Sequence, residues 1–356
     1  MQRDLLLSIR DLHVHFRTRE GLVRVLNGVN LDIHEGETLG LVGESGCGKS
    51  MTARSILRMV PPPGKIIAGE VHLYLRTETG VKDINLTSLP EDGPEIRRIR
   101  GKHISMIFQE PMTSFSPVHT IGDQIIEALR LHQDMSLQEA KERTIEMLSL
   151  VGIPDAAGRI DSYPFELSGG MRQRAMIAMA LSCRPTLLIA DEPTTALDVT
   201  IQAQILELLA RLQEQLQMSI LMITHNLGIV ASMAHRVAVM YLGRIVEEAP
   251  VDEVFYNPKH PYTRALLKSV PKVGQKTGER LWSIAGSVPD PFVQVPGCTF
   301  HPRCPDMKPG LCDKVVPDNV AVGVDHIVNC WLYSDGSAAE TGEGGTADET
   351  GTAARG

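Results

Sequence analysis

Short, continuous apolar runs alternate with longer amphipathic stretches over the first 250 residues of the chain. Four such runs are present, over residues 38–42, 104–108, 186–190 and 219–224. Runs of this length are typical of strands that are buried on both faces of a parallel sheet. After the second run, apolar residues recur at helical spacing, at Ile121, Ile125, Ile126 and Leu129 and again over residues 137–151. The pattern predicts an α/β fold with a helical subdomain inserted between two strands.

The first of these runs leads directly into a glycine-rich loop, which is followed by a helical stretch over residues 51–59. The loop has the form G-x-x-x-x-G-K-S between a strand and a helix, which is the setting of a phosphate-binding loop. Glycines let the backbone pass close to phosphates, and the helix N-terminus and the lysine supply positive charge. We therefore predict that a nucleotide binds at Gly43, Glu44, Ser45, Gly46, Cys47, Gly48, Lys49, Ser50 and Met51.

The third apolar run ends in two adjacent acidic residues, Asp191 and Glu192. In parallel sheets, functional groups gather at the carboxyl ends of the strands. We expect Asp191 and Ser50 to bind Mg²⁺, because this ion prefers oxygen ligands. Glu192 is then placed to polarise the water that attacks the terminal phosphate. The two carboxylates predict a site that hydrolyses a nucleotide.

The composition changes after residue 249, where Pro and Gly become frequent. Of the six cysteines, Cys47 and Cys183 are isolated, whereas four lie close together in this region: Cys298, Cys304, Cys312 and Cys330. In a reducing compartment such a cluster indicates a metal site more than disulfides. Thiolates suit either Zn²⁺ or an iron–sulfur cluster, and His301 and His326 are alternative ligands or surface residues. Unligated core cysteines are a third interpretation.

The net charge of −8 is unevenly distributed along the chain. Residues 335–356 carry five carboxylates and a single arginine, so half of the net charge lies in this tail. The tail has no large apolar residue that could repay the entropy of ordering, and we expect it to be disordered. The remainder is nearly neutral and does not suggest a nucleic-acid surface. The chain has neither a long apolar span nor a signal-peptide core, which favours a cytosolic protein.

Four further motifs occur in a fixed order around these sites. Gln109 follows the second apolar run, Ser168-Gly169-Gly170 opens a helix, Asp198 follows Ala196-Leu197, and His225 ends the fourth run. Together with the phosphate loop, they resemble the motifs of the ATP-binding subunits of ABC transporters, over residues 5–248. The resemblance implies an ABC-type P-loop ATPase core with a helical subdomain, which works as a pair of subunits.

The resemblance also implies a role for each motif. Ser168, Gly169 and Gly170 cap the ATP that is bound by the opposite subunit, and Asp198 lies at the interface between the two subunits. Gln109 senses Mg²⁺ and the membrane subunit, and His225 contacts the γ-phosphate. Adenine stacks on an upstream aromatic residue, for which Phe16 is the candidate. Phe16 also ends an alternating run that suits a half-buried strand, so its ring fits the core equally well.

The C-terminal region narrows the resemblance to one branch of the family. Residues 257–263 read Asn-Pro-x-His-Pro-Tyr-Thr, and residues 297–305 read Gly-Cys-x-Phe-x-x-Arg-Cys-Pro. Both runs resemble the oligopeptide/dipeptide importers, which implies a [4Fe–4S] cluster on the four cysteines, with Zn²⁺ as the alternative. The implied partners are a second, similar ATPase chain, two transmembrane permease subunits and, indirectly, an extracytoplasmic solute-binding protein. The implied location is the cytoplasmic face of the cell membrane.

These observations predict an α/β protein with three parts. Residues 1–250 form the nucleotide-binding domain, with the helical subdomain at about residues 112–176. Residues 251–334 form a small C-terminal region with the four-cysteine motif, and residues 335–356 form the disordered tail. The predicted function is ATP hydrolysis that powers import of peptides. Import of nickel or another solute by the same branch is the alternative. A soluble ABC ATPase that acts on DNA or ribosomes is disfavoured by the short helical insert and by the single set of nucleotide motifs.

A permease helix is expected to dock on the groove formed by residues 109–135. Phe115 follows the Gln109 loop, and an aromatic residue in a loop can anchor a partner helix. We predict that Phe115 is such an anchor. The alternative is that its ring fills the core of the protein.

Overall fold

A computed structural model describes residues 4–109, 114–195, 197–269 and 284–334. The strands within these ranges are β1 Leu5–Arg17, β2 Leu22–His34, β3 Thr38–Val42, β4 Gly64–Thr77, β5 Gly80–Asn85, β6 Ile104–Ile107, β7 Leu187–Asp191, β8 Ser219–Ile223, β9 Arg236–Tyr241, β10 Arg244–Pro250, β11 Asn319–Gly323 and β12 His326–Asn329. The helices are α1 Lys49–Ile56, α2 Pro94–Lys102, α3 Ile121–His132, α4 Leu137–Leu150, α5 Ala156–Arg159, α6 Gly169–Leu181, α7 Val199–Leu216, α8 Leu227–Met233, α9 Val251–Tyr256 and α10 Pro261–Lys268. The predicted tail and Ala196 lie outside the described residues.

The larger sheet has the strand order β11-β12-β10-β9-β3-β8-β7-β6. Its centre is parallel, because β3 pairs with β8 and β9, and β7 pairs with β8 and β6, all in the same direction. Every residue of β3, β7 and β8 is buried, which explains why these strands read as unbroken apolar runs. All four predicted strands are present, and the predicted α/β fold is confirmed.

A second, antiparallel sheet of order β2-β1-β4-β5 covers one side of the core. Buried positions alternate with less buried ones over the second halves of β1 and β2, as expected for a sheet with one face in water, whereas residues 6–9 are buried in succession. Ile9 and Val29 from this sheet pack in one apolar cluster with Leu39 and Leu41 of β3 and with Ile56 of α1. The packing fixes β3 and the loop that follows it between two layers.

The helical subdomain comprises α3 to α6 and packs on the other side of the core. Thr120 caps α3 through its Oγ1 atom, which accepts from the Asp123 amide at 3.1 Å. Ser136 and Glu139 form a reciprocal capping box at the start of α4. The predicted helical stretches are therefore confirmed within the described residues.

Phe115 is buried in the core of this subdomain and not on its surface. Its side chain is only 4% exposed and belongs to the same apolar cluster as Ile121, Ile125 and Leu129. A ring that is buried against its own helices cannot anchor a partner helix, so the prediction for Phe115 was wrong. The physical reason is that the aromatic ring gains more from packing against the apolar side chains of α3 than from facing solvent.

The C-terminal region adds a hairpin to the larger sheet. β10 ends at Pro250, where the sequence places a domain boundary, but β12 pairs with β10 and β11 pairs with β12. Glu247 of β10 reinforces this junction, because it is 1% exposed and accepts from the Lys259 amide at 2.6 Å and the His260 amide at 2.9 Å. In the described ranges, no helix has the length and apolar character that a membrane crossing requires.

Candidate functional site

The phosphate loop connects the buried end of β3 to the start of α1. Gly43 has a φ of 155°, and a Cβ atom at this position would lie 2.2 Å from the Met240 carbonyl oxygen. Gly48 has a φ of 110° and caps α1. Only glycine combines these conformations with so little space. The loop is therefore wrapped tightly around the N-terminus of α1, as binding of a phosphate group requires.

Lys49 is buried inside this loop. Its side chain is 6% exposed, and its Nζ atom donates to the carbonyl oxygens of Gly43 at 2.8 Å and Glu44 at 3.0 Å. Phosphate oxygens are anionic and hydrogen-bond an ammonium more strongly than carbonyl oxygens do. Burial raises the pKa of the neighbouring Cys47 thiol, which keeps this group neutral beside the lysine. The loop therefore places the positive charge of the Lys49 ammonium where the nucleotide phosphates are expected to bind.

Ser50 and Asp191 meet across the boundary between α1 and β7. Ser50 Oγ donates to Asp191 Oδ1 at 3.0 Å, and Asp191 is 4% exposed. Burial raises the pKa of Asp191, and the hydrogen bond from Ser50 partly offsets that effect. A bound cation would favour the ionised carboxylate further. A hydroxyl and a carboxylate at this distance fit the oxygen ligands of Mg²⁺, so the donor set agrees with the predicted site.

Glu192 connects three predicted motifs. Its Oε2 atom accepts from Gln109 Nε2 at 2.8 Å and from Thr195 Oγ1 at 2.9 Å, and its Oε1 atom lies 2.9 Å from His225 Nδ1. Burial alone would raise the pKa of Glu192, but the hydrogen bonds from His225 and Thr195 outweigh it and lower the pKa. Glu192 is therefore an ionised carboxylate, which can accept a proton from water.

The backbone of Glu192 is held in an uncommon conformation. Its φ is 48°, which is the left-handed region that a glutamate rarely adopts. The Glu192 amide donates to the Ile223 carbonyl oxygen at 2.9 Å, and the buried Gln173 Nε2 atom donates to the Pro193 carbonyl oxygen at 2.5 Å. These contacts on both sides of the turn maintain the strained conformation and aim the carboxylate at Gln109 and His225.

The predicted subunit-interface motifs lie together on a second surface. Ser168 caps α6 by accepting from the Met171 amide at 3.3 Å, and Asp198 caps α7 by accepting from the Thr200 and Ile201 amides at 3.1 and 3.0 Å. A Cβ atom at Gly170 would lie 3.1 Å from Ile201, so the two helix starts are neighbours. The structure thus brings Ser168, Gly169, Gly170 and Asp198 into one surface.

Phe16 is half-buried near the end of β1, which lies between β2 and β4 in the antiparallel sheet. Its ring lies directly over Gly64 of β4, where a Cβ atom would come within 2.4 Å of the ring. The ring also packs against the apolar cluster below the sheet. This position explains the alternating pattern of β1, and adenine stacking on Phe16 stays a prediction.

The four C-terminal cysteines line one small cavity, together with His260, Phe300 and Trp331. All four are free thiols, and Cys298 and Cys312 are also joined by a backbone hydrogen bond of 2.8 Å. Burial raises the pKa of Cys298, Cys304 and Cys330 to about 11. A soft cation in the cavity would reverse this effect, since it binds the thiolate form.

The cysteine cavity does not have the geometry of a formed metal site. Over the ranges that the structure describes, no group of three or more His, Cys, Asp or Glu side chains is arranged to hold a metal ion. His326 is buried, and its Nε2 atom is hydrogen-bonded to Glu247 Oε1 at 2.8 Å. His301 Nδ1 lies 2.9 Å from the Cys298 carbonyl oxygen. Both histidines thus have partners other than a metal. The four thiols nevertheless match the ligands that Zn²⁺ and iron–sulfur clusters use.

Three residues at the site carried no predicted role. Thr195 donates to Glu192, and the C-terminal residues Tyr262 and Arg303 both contact Glu44 of the phosphate loop. Tyr262 and Arg303 belong to the two runs that mark the importer branch. Their position in these runs was the available signal that they have a function. The sequence does not show that a segment more than 200 residues away packs against the phosphate loop.

Two protein families match the chain. The family "ABC transporter" matches residues 26–195, and the family "Oligopeptide/dipeptide transporter, C-terminal region" matches residues 246–312. The second match begins in β10 and includes three of the four cysteines. The two matches therefore cover the phosphate loop, Glu192 with Gln109 and Thr195, and most of the C-terminal region, whereas His225 lies between them.

Several named proteins are similar over most of the chain. The dipeptide transport ATP-binding protein DppD of Bacillus subtilis (strain 168) is 50% identical, over 92% of this chain and 94% of that protein. The oligopeptide transport ATP-binding protein OppD of the same organism is 51% identical, over 92% of this chain and 88% of that protein. Among solved structures, the dimeric structure of MJ0796, a bacterial ABC transporter cassette, has a TM-score of 0.59 and 28% identity, over 69% of this chain and 98% of that chain.

Proposed function

Because the chain belongs to the ATP-binding proteins of ABC transporters, we propose that it hydrolyses ATP to power the import of peptides through a membrane permease. The observation that carries the proposal is the Glu192 cluster beside a complete phosphate loop. The peptide substrate is supported by the match of the C-terminal region and by relatives that are named for dipeptide and oligopeptide transport.

The chemistry follows from the residues at the strand ends. Lys49 neutralises charge on the β- and γ-phosphates, and Ser50 and Asp191 would hold Mg²⁺, which would supply further positive charge there. Glu192 accepts a proton from water while the water oxygen bonds to the γ-phosphorus and the bond to the ADP oxygen breaks. Gln109 and His225 fix the direction of the Glu192 carboxylate, and His225 is exposed enough to reach the γ-phosphate.

A second ATPase chain completes the site. Ser168, Gly169 and Gly170 face the nucleotide of the partner chain, and Asp198 lies between the two. This arrangement gives ATP a role in closing the pair, because the γ-phosphate contacts both chains and hydrolysis removes that contact. The partner is a similar but distinct chain, and the pair lies at the cytoplasmic face of the membrane, peripheral to it.

The permease docks beside α3, on exposed apolar residues that replace Phe115 in this role. Tyr163 and Phe165 stack at 5.4 Å, and Phe165 is 65% exposed. They lie next to the start of α3, where the Ile121 amide donates to the Ser162 carbonyl oxygen at 2.9 Å, and Val118 is also exposed there. An exposed aromatic pair beside the start of α3 suits a helix-in-groove contact.

Docking is tested with Phe165→Glu. The variant should fold and bind ATP but no longer co-purify with the permease subunits. Val81→Glu is the matched control, since Val81 is 68% exposed on the antiparallel sheet. Normal permease binding by Phe165→Glu would place the docking surface elsewhere.

The four cysteines hold a [4Fe–4S] cluster that stabilises the C-terminal region. The shared cavity supports this proposal, and the cluster would supply folding energy to a segment with little regular structure. Protein that is purified without oxygen should contain iron and acid-labile sulfide in similar amounts, and Cys304→Ser should lose both. Colourless protein with one zinc per chain would favour Zn²⁺ instead, and metal-free protein would exclude both.

Transport is tested in vesicles that contain the complete transporter and its binding protein. ATP-dependent uptake of labelled dipeptides or oligopeptides should occur with the unmodified chain and stop with Lys49→Ala. ATP-dependent uptake of Ni²⁺ without uptake of peptides would contradict the proposed substrate and leave the ATPase assignment intact.

A further inference from the structure

Glu44, the second residue of the phosphate loop, is held by the C-terminal region through both its side chain and its backbone. Arg303 donates from Nη1 to Glu44 Oε2 at 2.8 Å and from Nη2 to Glu44 Oε1 at 3.2 Å. The Glu44 amide donates to the Tyr262 hydroxyl at 2.9 Å. The paired contact of a guanidinium with a carboxylate fixes direction as well as distance.

Both C-terminal partners are themselves held by burial and by further contacts. Tyr262 is fully buried, and its ring lies 4.6 Å from the ring of Tyr241 and 5.4 Å from that of Phe300. The Arg303 side chain is 4% exposed, and its Nε atom donates to the Ala285 carbonyl oxygen at 3.1 Å. Groups that are immobilised in this way lose little further entropy when they hold a loop.

The backbone carbonyl of Glu44 contacts Lys49 of the phosphate loop. Lys49 Nζ donates to the Glu44 carbonyl oxygen at 3.0 Å, so the same residue is held by the C-terminal region at its amide and carboxylate and by Lys49 at its carbonyl. A Lys49 Nζ atom that bound phosphate in place of the Glu44 carbonyl oxygen would release its support of Glu44. The contacts from Arg303 and Tyr262 are then the ones that keep this part of the loop in its binding shape.

The C-terminal region also borders the loop on a second side. Ser45 and Gly46 line a groove together with Val293, Gln294 and Pro296. The loop thus lies between two parts of the same C-terminal region, and its shape depends on how that region is folded.

We infer that Arg303 and Tyr262 are positioning residues for ATP binding, which preorganise the phosphate loop through Glu44. The inference rests on the proposed role of this loop in binding ATP. It makes the C-terminal region part of the nucleotide site of its own chain. It also connects the cysteine cavity to that site, because Arg303 lies in the short turn His301–Arg303, between Cys298 and Cys304.

The alternative is that these contacts only attach the C-terminal region to the core. Two pairs of variants separate the interpretations. Arg303→Gln and Tyr262→Phe remove the contacts with Glu44, and Tyr262→Phe keeps the ring. Arg264→Gln and Tyr333→Phe are matched controls, because Arg264 donates to the Tyr333 hydroxyl at 2.8 Å and to the Pro258 carbonyl oxygen at 3.0 Å within the C-terminal region.

The measurements are the Kd of the full-length chain for ATP, the KM and kcat of the assembled transporter, and the Tm. For Arg303→Gln and Tyr262→Phe we expect Kd and KM to rise about fivefold with kcat within about twofold, since a lost contact of this kind changes affinity by roughly that factor. Arg303→Lys should restore part of the affinity. The two controls should leave Kd and KM unchanged, whatever they do to the Tm.

A double-variant cycle completes the test. If Arg303 acts through Glu44, then Glu44→Gln and Arg303→Gln together should raise Kd no more than either one alone. Additive effects, or a rise in KM that the two controls share, would overturn the inference. A transporter that lacks ATPase activity with the unmodified chain would instead contradict the proposed function.

Discussion

The carboxyl ends of the parallel strands and the C-terminal region place functional residues by different means. At the strand ends, the order of buried strands brings Ser50, Asp191 and Glu192 together, and the side chains are left to hydrogen-bond one another. The C-terminal region, where described strands are short, is held in place by single buried polar groups, such as its own Arg303 and the Glu247 carboxylate of β10 at the junction with it.

The side chains in the two regions therefore differ in how much the fold depends on them. The strand ends remain in place through apolar packing, so a polar side chain there can be changed without loss of the fold. In the C-terminal region the polar groups are the support, and removing one of them leaves buried partners unpaired. We therefore expect changes at the strand ends to alter catalysis, and changes in the C-terminal region to alter stability or the shape of the phosphate loop.

The largest effect is expected for Glu192→Gln. The amide keeps the shape of the side chain but cannot accept a proton, so ATP hydrolysis should fall by about 10² to 10⁴-fold. ATP binding and the Tm should change little, because the turn at Glu192 is held by its backbone and by Gln173. Turnover by the assembled transporter and equilibrium ATP binding are the measurements.

The control for this prediction is Glu207→Gln, which changes an exposed glutamate on α7 and should behave like the unmodified chain. Hydrolysis near the normal rate by Glu192→Gln would show that another group accepts the proton.

Lys49→Ala should weaken ATP binding by between about 10-fold and 100-fold, as expected for the loss of a hydrogen bond to a charged group. The loop should keep its fold, because its glycines and the Glu44 contacts remain. Titration of the full-length chain with ATP measures the loss. A large drop in Tm with unchanged ATP affinity would contradict the comparison, since it would give Lys49 a structural role.

The sequence predicts the strand ends well because the signals there are local. The apolar run of β3, the glycines and the Lys49-Ser50 pair are adjacent in the chain, and β7 carries Asp191 and Glu192 at its end. Parallel pairing then requires these ends to meet at one edge of the sheet. The contact of Gln109 with Glu192 follows from the same rule, because β6 pairs with β7.

The C-terminal contacts could not be predicted because they join distant segments through single side chains. Nothing near Glu44 indicates that Arg303 pairs with it, and nothing near Glu247 indicates a buried carboxylate. The prediction for Phe115 was wrong for a related reason, since a single aromatic residue before α3 does not show by its sequence whether it faces solvent or packs inward. The hairpin of β11 and β12 is also too short to be distinguished from the turns around it.

Glu247→Ala is expected to destabilise the C-terminal region by about 2 kcal/mol, since it leaves the part-buried amide of Lys259 and the buried amide of His260 without an acceptor. Denaturant unfolding measures the loss, and limited proteolysis should release the C-terminal region before the core. Glu253→Gln is the matched control. Both glutamates approach the ring of His326, but the Glu253 side chain, whose Oε2 atom lies 3.7 Å from His326 Nδ1, is 46% exposed. If the core and the C-terminal region were lost together in a single step, Glu247 would support both of them.

The smallest change in stability is expected for Ser168→Ala. Ser168 and Ser136 both cap a helix of the same subdomain through a side-chain oxygen, so each alanine variant should cost about 1 kcal/mol of stability. Only Ser168 lies on the surface that faces the partner chain in the proposed pair, so only its variant should also slow ATP hydrolysis by the assembled transporter. The two variants thus have equal structural cost and differ in function. If Ser168→Ala and Ser136→Ala had equal turnover at equal Tm, Ser168 would only cap its helix. The residues that act in ATP hydrolysis would then be confined to the strand ends.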